Sequence, residues 1–409
     1  MKTNSAHPAV LRATLALVLA LAAASLLLAA PLCSAGGISN VRVSQRSGTN
    51  LVDLHYDLAT GGAYPMLVAV AVSTNGGLAY DLPATHFTGE VGYGVTAGTN
   101  KGIVWDAVRD MPDRFSTNVF FRLSASDKPP GMALIPAGNF TMGDTFNEGD
   151  SDEHPLHTVY VSAFYLDKTE VTKSMWDEVK TWATAHGYSF DNAGSGKASN
   201  HPVYSVNWYD MVKWCNARSE QEGRVAAYYT SVAQTTVYRT GQVGVQNDWV
   251  KWNAGYRMPT EAEWEKAARG GLSEQRFPWG NVINQNLANY NGYTAGYAYD
   301  LGPNGYNAIG SVGGTDPATS PVGSFAANGY GLYDMAGNVW ERCWDWYGSY
   351  SSGAQTDPRG PSSGSYRVLR GGCWDSDAFG CRAARRGYGH PGNGGYCMGF
   401  RSALPPGQP

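Results

Sequence analysis

Residues 328–341 read Asn-Gly-Tyr-Gly-Leu-Tyr-Asp-Met-Ala-Gly-Asn-Val-Trp-Glu, and the reading of this stretch decides the fold of most of the chain. Two carboxylates, Asp334 and Glu341, bracket a turn set by Gly337-Asn338. Glycine at that point admits positive φ, so the backbone can fold sharply and bring side-chain and carbonyl oxygens together. A hard cation such as calcium takes about six to eight oxygens from carboxylates and backbone carbonyls. Asp334 and Glu341, with the carbonyls of Gly337 and Val339, can supply part of such a shell. Spacing alone also describes a tight turn whose aspartate caps local N–H groups, because the ligand register of an EF-hand is absent.

Around this stretch, 409 residues allow two or three domains. Charged residues are sparse at 16%, while Gly (51), Tyr (25) and Trp (13) are abundant. That mixture suits an irregular, loop-rich fold with large aromatic anchors and excludes a helical bundle or a disordered chain. A net charge of −4 and the lack of a basic stripe argue against a nucleic-acid partner.

Residues 1–35 carry Lys2 and Arg12, then an apolar run over 13–30, then Cys33-Ser34-Ala35. A charged start, an apolar middle and a small-residue exit are the layout of a secretory signal cut after Ala35. Leu32 is bulky where a lipobox has a small residue, which argues against lipidation at Cys33. No later segment is long and apolar enough to span a bilayer. The mature protein is therefore expected to be soluble and extracytoplasmic, secreted or periplasmic. Its remaining cysteines are Cys215, Cys343, Cys373, Cys381 and Cys397. An oxidising compartment permits disulfides, and the odd count leaves one thiol free or shared between chains. No Cys/His spacing suits a structural zinc site.

Residues 36–127 read as an all-β module. Strand-like runs over 51–58, 66–73, 102–105 and 118–125 are broken by Gly, Asn and Pro, which predicts a fibronectin- or immunoglobulin-like sandwich. No catalytic constellation stands out in it. Residues 128–131 look like a stiff linker, and the second domain runs over 132–405. His154 and His157 beside Asp152 and Glu153 suggest a metal cluster, but a polar loop before a strand explains them more simply. Three helices follow. Thr172 caps the first, with Met175, Val179 and Trp182 on one face; Asn207 caps the second, with Trp208, Met211, Val212 and Cys215. Thr260 and Glu263 form a capping-box pattern for the third, which Gly270-Gly271 stops. Residues 219–255 read as a hairpin or extended surface loop. Beyond Pro278-Trp279-Gly280 the chain has little period up to about Pro317, and such a stretch inside a domain is usually functional or pinned by a ligand.

Several segments together carry a resemblance. Gly255-Tyr256-Arg257-Met258-Pro259-Thr260-Glu261-Ala262-Glu263-Trp264-Glu265, Pro278-Trp279-Gly280, residues 328–341, Arg367-Val368-Leu369-Arg370-Gly371-Gly372 and Gly399-Phe400-Arg401 occur in this order. In order and spacing they resemble the formylglycine-generating enzyme (sulfatase-modifying factor) family over residues 132–403. The resemblance implies an α+β, C-type-lectin-like fold with little regular secondary structure, and structural calcium. The family's calcium loop falls on Asp334, Gly337, Val339 and Glu341; a second loop would begin at Asn289 and Tyr290, with Asp316 as a downstream carboxylate.

For the enzymes of the family, the resemblance implies oxidation of a sulfatase cysteine in a Cys-x-Pro-x-Arg segment by dioxygen, with copper(I) held by two cysteines. Soft thiolates suit that metal. Those cysteines lie four and nine residues after the second glycine, where this chain has Ser376 and Cys381; counted from the downstream Arg-Ala-Ala-Arg segment, Cys381 falls outside the second copper position. The usual pair is therefore not preserved. Cys373, directly after Gly371-Gly372, can join Cys381 in an alternative two-thiolate site. The structural alternative is disulfides between Cys343 and Cys381 and between Cys215 and Cys397, with Cys373 free. Trp340, Trp374, Ser376 and Arg385 are the candidate walls and contacts of a substrate groove. Arg382, Arg385 and Arg386 can clamp an acidic ligand or serve internal ion pairs.

Three functions of different class follow. One is an oxidase of the formylglycine-generating type acting on a sulfatase. Another is a non-catalytic, calcium-stabilised lectin-like module that binds a protein or a glycan. The last, a nonheme iron sulfoxide synthase, needs a helical domain with an iron motif that the β-rich N-terminal region lacks.

Overall fold

The computed structural model describes residues 36–60, 66–112, 116, 118–126, 129–309 and 318–406. The chain divides into two compact units between Asp127 and Lys128. Leader residues 1–35 and Asp316 lie outside the described residues. No helix among the described residues is long and apolar enough to cross a membrane.

The first unit contains β1 (Gly36–Gln45), β2 (Leu51–Thr60), β3 (Met66–Ser73), β4 (Phe87–Gly89), β5 (Gly92–Val95), β6 (Gly98–Asp106), the single turn α1 (Ala107–Asp110) and β7 (Phe120–Ser126). Antiparallel pairing orders β1-β2-β6-β4 in one sheet and β5-β3-β7 in the other. In β2 every second residue, Val52, Leu54, Tyr56 and Leu58, is buried, the period of two of a half-buried strand. They close on Trp105 and Val68 in one apolar core.

The second unit is mixed, with short strands and three helices. Strands β8 (Met132–Ile135), β9 (Gly138–Met142), β10 (His157–Val161) and β11 (Phe164–Asp167) precede α2 (Lys173–Ala185), α3 (Trp208–Gln221) and α4 (Glu261–Arg269). Then come β12 (Asn291–Gly292), β13 (Gly305–Tyr306), β14 (Trp340–Trp346), β15 (Gln355–Thr356), β16 (Arg367–Arg370), β17 (Gly387–Gly389), β18 (Met398–Gly399) and β19 (Ala403–Leu404). The sheet β17-β16-β14-β18 holds the site, while β19-β11-β8 ties the end of the domain to its beginning.

Each helix starts where its cap predicts. Thr172 accepts from Met175 N–H, Asn207 from Asp210 N–H, and Thr260 with Glu263 closes a reciprocal capping box. The first helical face is turned by one residue from the expected one: Trp176, Val179 and Ala183 are buried, while Met175 and Trp182 lie at the margin. All of α4 is buried, its charges included, because they pair internally. Residues 219–255 correct the surface-loop expectation. Tyr228, Tyr238, Val245 and Val250 sit in the main aromatic core, held by bridges from Tyr228 to Val250 and from Tyr229 to Val237.

Candidate functional site

β16 delivers the chain into Gly371 and Gly372, both at positive φ (91° and 74°). A Cβ on Gly372 would stand 2.8 Å from the Cys381 sulfur and from the Gly380 carbonyl, so the turn has room for glycine alone. The following residue, Cys373, is presented where β14 and β18 meet. β18 pairs parallel to β14 in the register Trp340–Met398, and Trp340 N–H donates to the Cys397 carbonyl at 2.8 Å. This pairing carries Cys397 against Cys373, with Ala318, Trp374 and Trp340 packed around them.

Cys397 packs against Cys373 in this cluster. Ser376 Oγ donates to Cys373 Sγ at 3.6 Å and accepts from Cys373 N–H at 3.1 Å. Burial alone raises the Cys373 thiol, yet donors from Cys397, Ser376 and the Asp375 amide outweigh it and hold the thiol below its ordinary value. Cys397 is pushed up, first by its bond to Cys373 and then by burial. Cys373 is buried and Cys397 partly exposed. Trp374 packs against Tyr306 and Tyr396, and Gly387 lies against the Trp340 ring.

The expected disulfides do not form. All five cysteines of the described residues are free thiols. Cys215 sits in the aromatic core around α3, Cys343 in the β14 layer and Cys381 with Phe277 and Tyr290, so neither proposed pair meets. The other candidate partner of Cys373 in a two-thiolate site, Cys381, lies close by under the glycine turn. Burial first, then the nearby Cys373 charge, drives the Cys381 thiol far up, while Cys397 packs with Cys373 in a separate cluster. Cys397 had no sequence signal beyond its place two residues before Gly399-Phe400-Arg401.

Below this layer lies a carboxylate cluster. Asp334 (φ 56°) accepts from Gly323 N–H at 2.6 Å, and its other oxygen is buried without a partner. Glu170, which sequence reasoning missed, is buried with both carboxylate oxygens unpartnered. The Asp334 charge acts on Glu170, and two ionised carboxylates repel unless a shared proton or a cation intervenes. Burial first, then the neighbouring charge, raises both; Asp334 is pushed up to about 6. Glu341 faces the same cluster, but both its oxygens accept from Arg401 (2.6 and 2.7 Å) and one also from Trp264 Nε1 (2.7 Å). Gly337 (φ 82°) and Val339 form the turn above. Gly337 N–H donates to Gly371 O, and Asn338 N–H to Asn289 O, both at 2.8 Å. Asn289 Oδ1 is a further buried, unpartnered oxygen, while Tyr290 donates its hydroxyl to Asp300 at 2.5 Å.

The arginine segment serves ion pairs. Arg382 pairs with both oxygens of Glu153 (2.7 and 2.8 Å), Arg386 with both of Glu261 (2.7 and 2.9 Å), and Arg385 with Asp150 at the surface. Asp150, Asp152 and Glu153 do lie together, but arginine and Tyr347 engage them, and His157 bonds to the Pro155 carbonyl.

A family model described as a sulfatase-modifying factor enzyme 1-like domain matches residues 119–405. The chain belongs to that family, the formylglycine-generating enzyme or sulfatase-modifying factor family. It is 33% identical to the formylglycine-generating enzyme of Streptomyces coelicolor over 297 residues, covering 67% of this chain and 88% of that protein. It is also 34% identical over 293 residues to the serine/threonine-protein kinase pkn1 of Chlamydia caviae, matching 66% of this chain but only 37% of that one. Among solved structures, Treponema denticola variable protein 1 aligns at 31% identity and TM-score 0.51, over 67% of this chain and 95% of that one.

Proposed function

We propose that the chain is an exported, calcium-stabilised member of the family that receives a cysteine-bearing protein segment, such as that of a sulfatase, at the Cys373–Cys397 pair. The observation that carries this reading is the pair itself: two convergent sulfurs, with Ser376 donating to one, directly after the glycine turn and between Trp340 and Trp374. The description of the matching family model, a sulfatase-modifying factor domain, supports the substrate class. A shared fold does not transfer chemistry by itself, and the kinase relative is a reminder of that.

Copper(I) does not fit the positions that the family pattern assigns to it. Ser376 offers a hard hydroxyl engaged with Cys373, and Cys381 is a fully buried thiol under Gly372. The proposed role of this chain's residues is therefore recognition and orientation of a thiol. Trp340 and Trp374 provide apolar walls, and the Ser376 hydroxyl donates to the Cys373 sulfur.

Calcium fits better. The unpartnered oxygens of Glu170 and Asp334 are donors of the kind a hard cation takes. The carbonyls of Gly337 and Val339 would add to them, Glu341 would have to give up Arg401 to join, and Asn289 and Tyr290 would begin a second site. Bound there, calcium would supply positive charge that relieves the carboxylate repulsion and pins the turn. The proposal extends to export through the leader, to a lectin-like description of the second unit and to a sandwich-type spacer role for the first.

The test presents a Cys-x-Pro-x-Arg peptide and its serine analogue to the purified chain, with binding read by tryptophan fluorescence. Mass spectrometry follows aldehyde formation in the presence of copper(I) and oxygen. Preference for the cysteine peptide without aldehyde is expected. Equal binding of both peptides removes thiol recognition. Copper-dependent aldehyde that is lost in Cys373→Ser would restore the oxidase reading.

A further inference from the structure

We propose that Cys373 and Cys397 constitute a redox-active dithiol that exchanges with a disulfide of a client protein or small molecule. The inference rests on the preceding reading only for the location of the site. It concerns a disulfide partner, which peptide-thiol recognition does not need.

The two cysteines are far apart in sequence, and a non-local device brings them together, the parallel β14–β18 register that fixes the Cys397 backbone against Trp340. Cys373 is fixed from the other side by the glycine turn and by the bond from its N–H to Ser376 Oγ. Each backbone is thus held while the two side chains pack in one cluster with Ala318 and Trp374. The remaining cysteines differ. Cys215, Cys343 and Cys381 are fully buried in separate apolar clusters, and burial pushes each of their thiols up, as expected of inert core cysteines. At Cys373 the Ser376 hydroxyl donates to the sulfur at 3.6 Å and Cys397 packs beside it, and a donor to a sulfur favours its charged form.

The chemistry balances without a metal or dioxygen. Cys373 thiolate attacks one sulfur of the client disulfide, the client S–S bond breaks, and the leaving half departs as a thiolate. Cys397 passes its proton to that leaving thiolate or to solvent and attacks the mixed disulfide at Cys373. The Cys373–Cys397 bond forms, and the second client half leaves as a thiolate that takes its proton from solvent. The client gains two electrons and the dithiol loses two. A reducing dithiol runs the same steps backwards.

The experiment uses the purified, prereduced chain and 5,5′-dithiobis(2-nitrobenzoate), with intact-mass and peptide mapping. The wild type is expected to release two equivalents of thionitrobenzoate in a fast phase, to retain none at this site, and to yield a peptide linked between Cys373 and Cys397. In Cys397→Ser, one equivalent is released and one stays on Cys373. That sulfur should react roughly ten-fold or more faster than Cys215, Cys343 or Cys381. No fast phase, a linkage between other cysteines, or a Cys397→Ser variant that behaves as the wild type would overturn the proposal. The wild-type mapping stands even where a variant fails to fold. The reporter contains no peptide, so dithiol closure alongside failed peptide preference would sink only the recognition reading.

Discussion

Arg370 and Glu265 pair at 2.5 Å with both side chains fully buried, joining the last residue of β16 to the middle of α4. Arg370 also reaches Glu261 at 3.0 Å and the carbonyl of Ala383 at 2.6 Å, while Glu265 takes Arg269 at 2.6 Å and the Gly143 amide at 2.9 Å. The network fixes the residue immediately before the glycine turn, and so fixes Cys373. Breaking one member of a buried pair strands the other charge, at about 3–5 kcal/mol. Because Glu265 keeps Arg269 and Glu261 keeps Arg386, Arg370→Met should lower unfolding stability in urea by the lower end of that range, about 3 kcal/mol. The double variant with Glu265→Gln should cost less than the sum of the two. Strict additivity of the two variants would mean that the pair is not coupled.

Calcium should raise the melting temperature of the second unit. A ligand at about 100 times its dissociation constant adds about 2.7 kcal/mol, which in a domain of this size is on the order of 5–10 °C. Chelation should remove that gain, and Glu170→Gln should remove the response to calcium altogether, since both Glu170 oxygens lack another partner. Melts that superimpose with and without chelator would dismiss the cation.

Asp345 predicts a pH dependence. Burial first, then the Glu261 charge, pushes its carboxyl up to about 8, against an ordinary value of about 3.9. A carboxyl with a raised folded-state pKa contributes stability that is full below the unfolded value and is lost as pH rises through the folded one. The wild type should thus lose thermal stability between about pH 4 and pH 8. Asp345→Asn keeps an oxygen for the Glu261 amide, now 2.8 Å from Asp345 Oδ2, and should flatten the slope. Identical slopes in circular-dichroism melts would exonerate Asp345.

Local signals are legible in the amino-acid sequence. Thr172, Asn207 and the Thr260–Glu263 box mark the helix starts because capping depends on residues three apart. The turn at Gly337-Asn338 is legible for the same reason: both residues take the positive φ their side chains tolerate. What escapes is non-local. Cys397 meets Cys373 through a strand pair of two residues, too short to leave a period. Glu170 is a single carboxylate whose role appears only when Asp334 is placed opposite it. In α4, hydropathy labels Glu261, Glu265 and Arg269 as surface, whereas Arg370 and Arg386 arrive from distant segments and make their burial possible.

Ser376 supplies the last prediction, because it occupies a position where the family pattern has a cysteine and yet it serves the sulfur of Cys373. Its hydroxyl is one of the donors that hold the Cys373 thiol below its ordinary value against the opposing effect of burial. Ser376→Ala deletes that donor and leaves burial in place, so the thiol should titrate higher and the thiolate fraction near neutral pH should fall. Alkylation of Cys373 by iodoacetamide should then slow by roughly three- to ten-fold at pH 7, and the two proteins should converge as pH rises above the shifted value. Ser376→Thr keeps the hydroxyl and should restore most of the rate. A uniform slowing at every pH would point to lost packing instead of a lost donor, and an unchanged profile would leave Cys397 and the Asp375 amide as the groups that hold the charge.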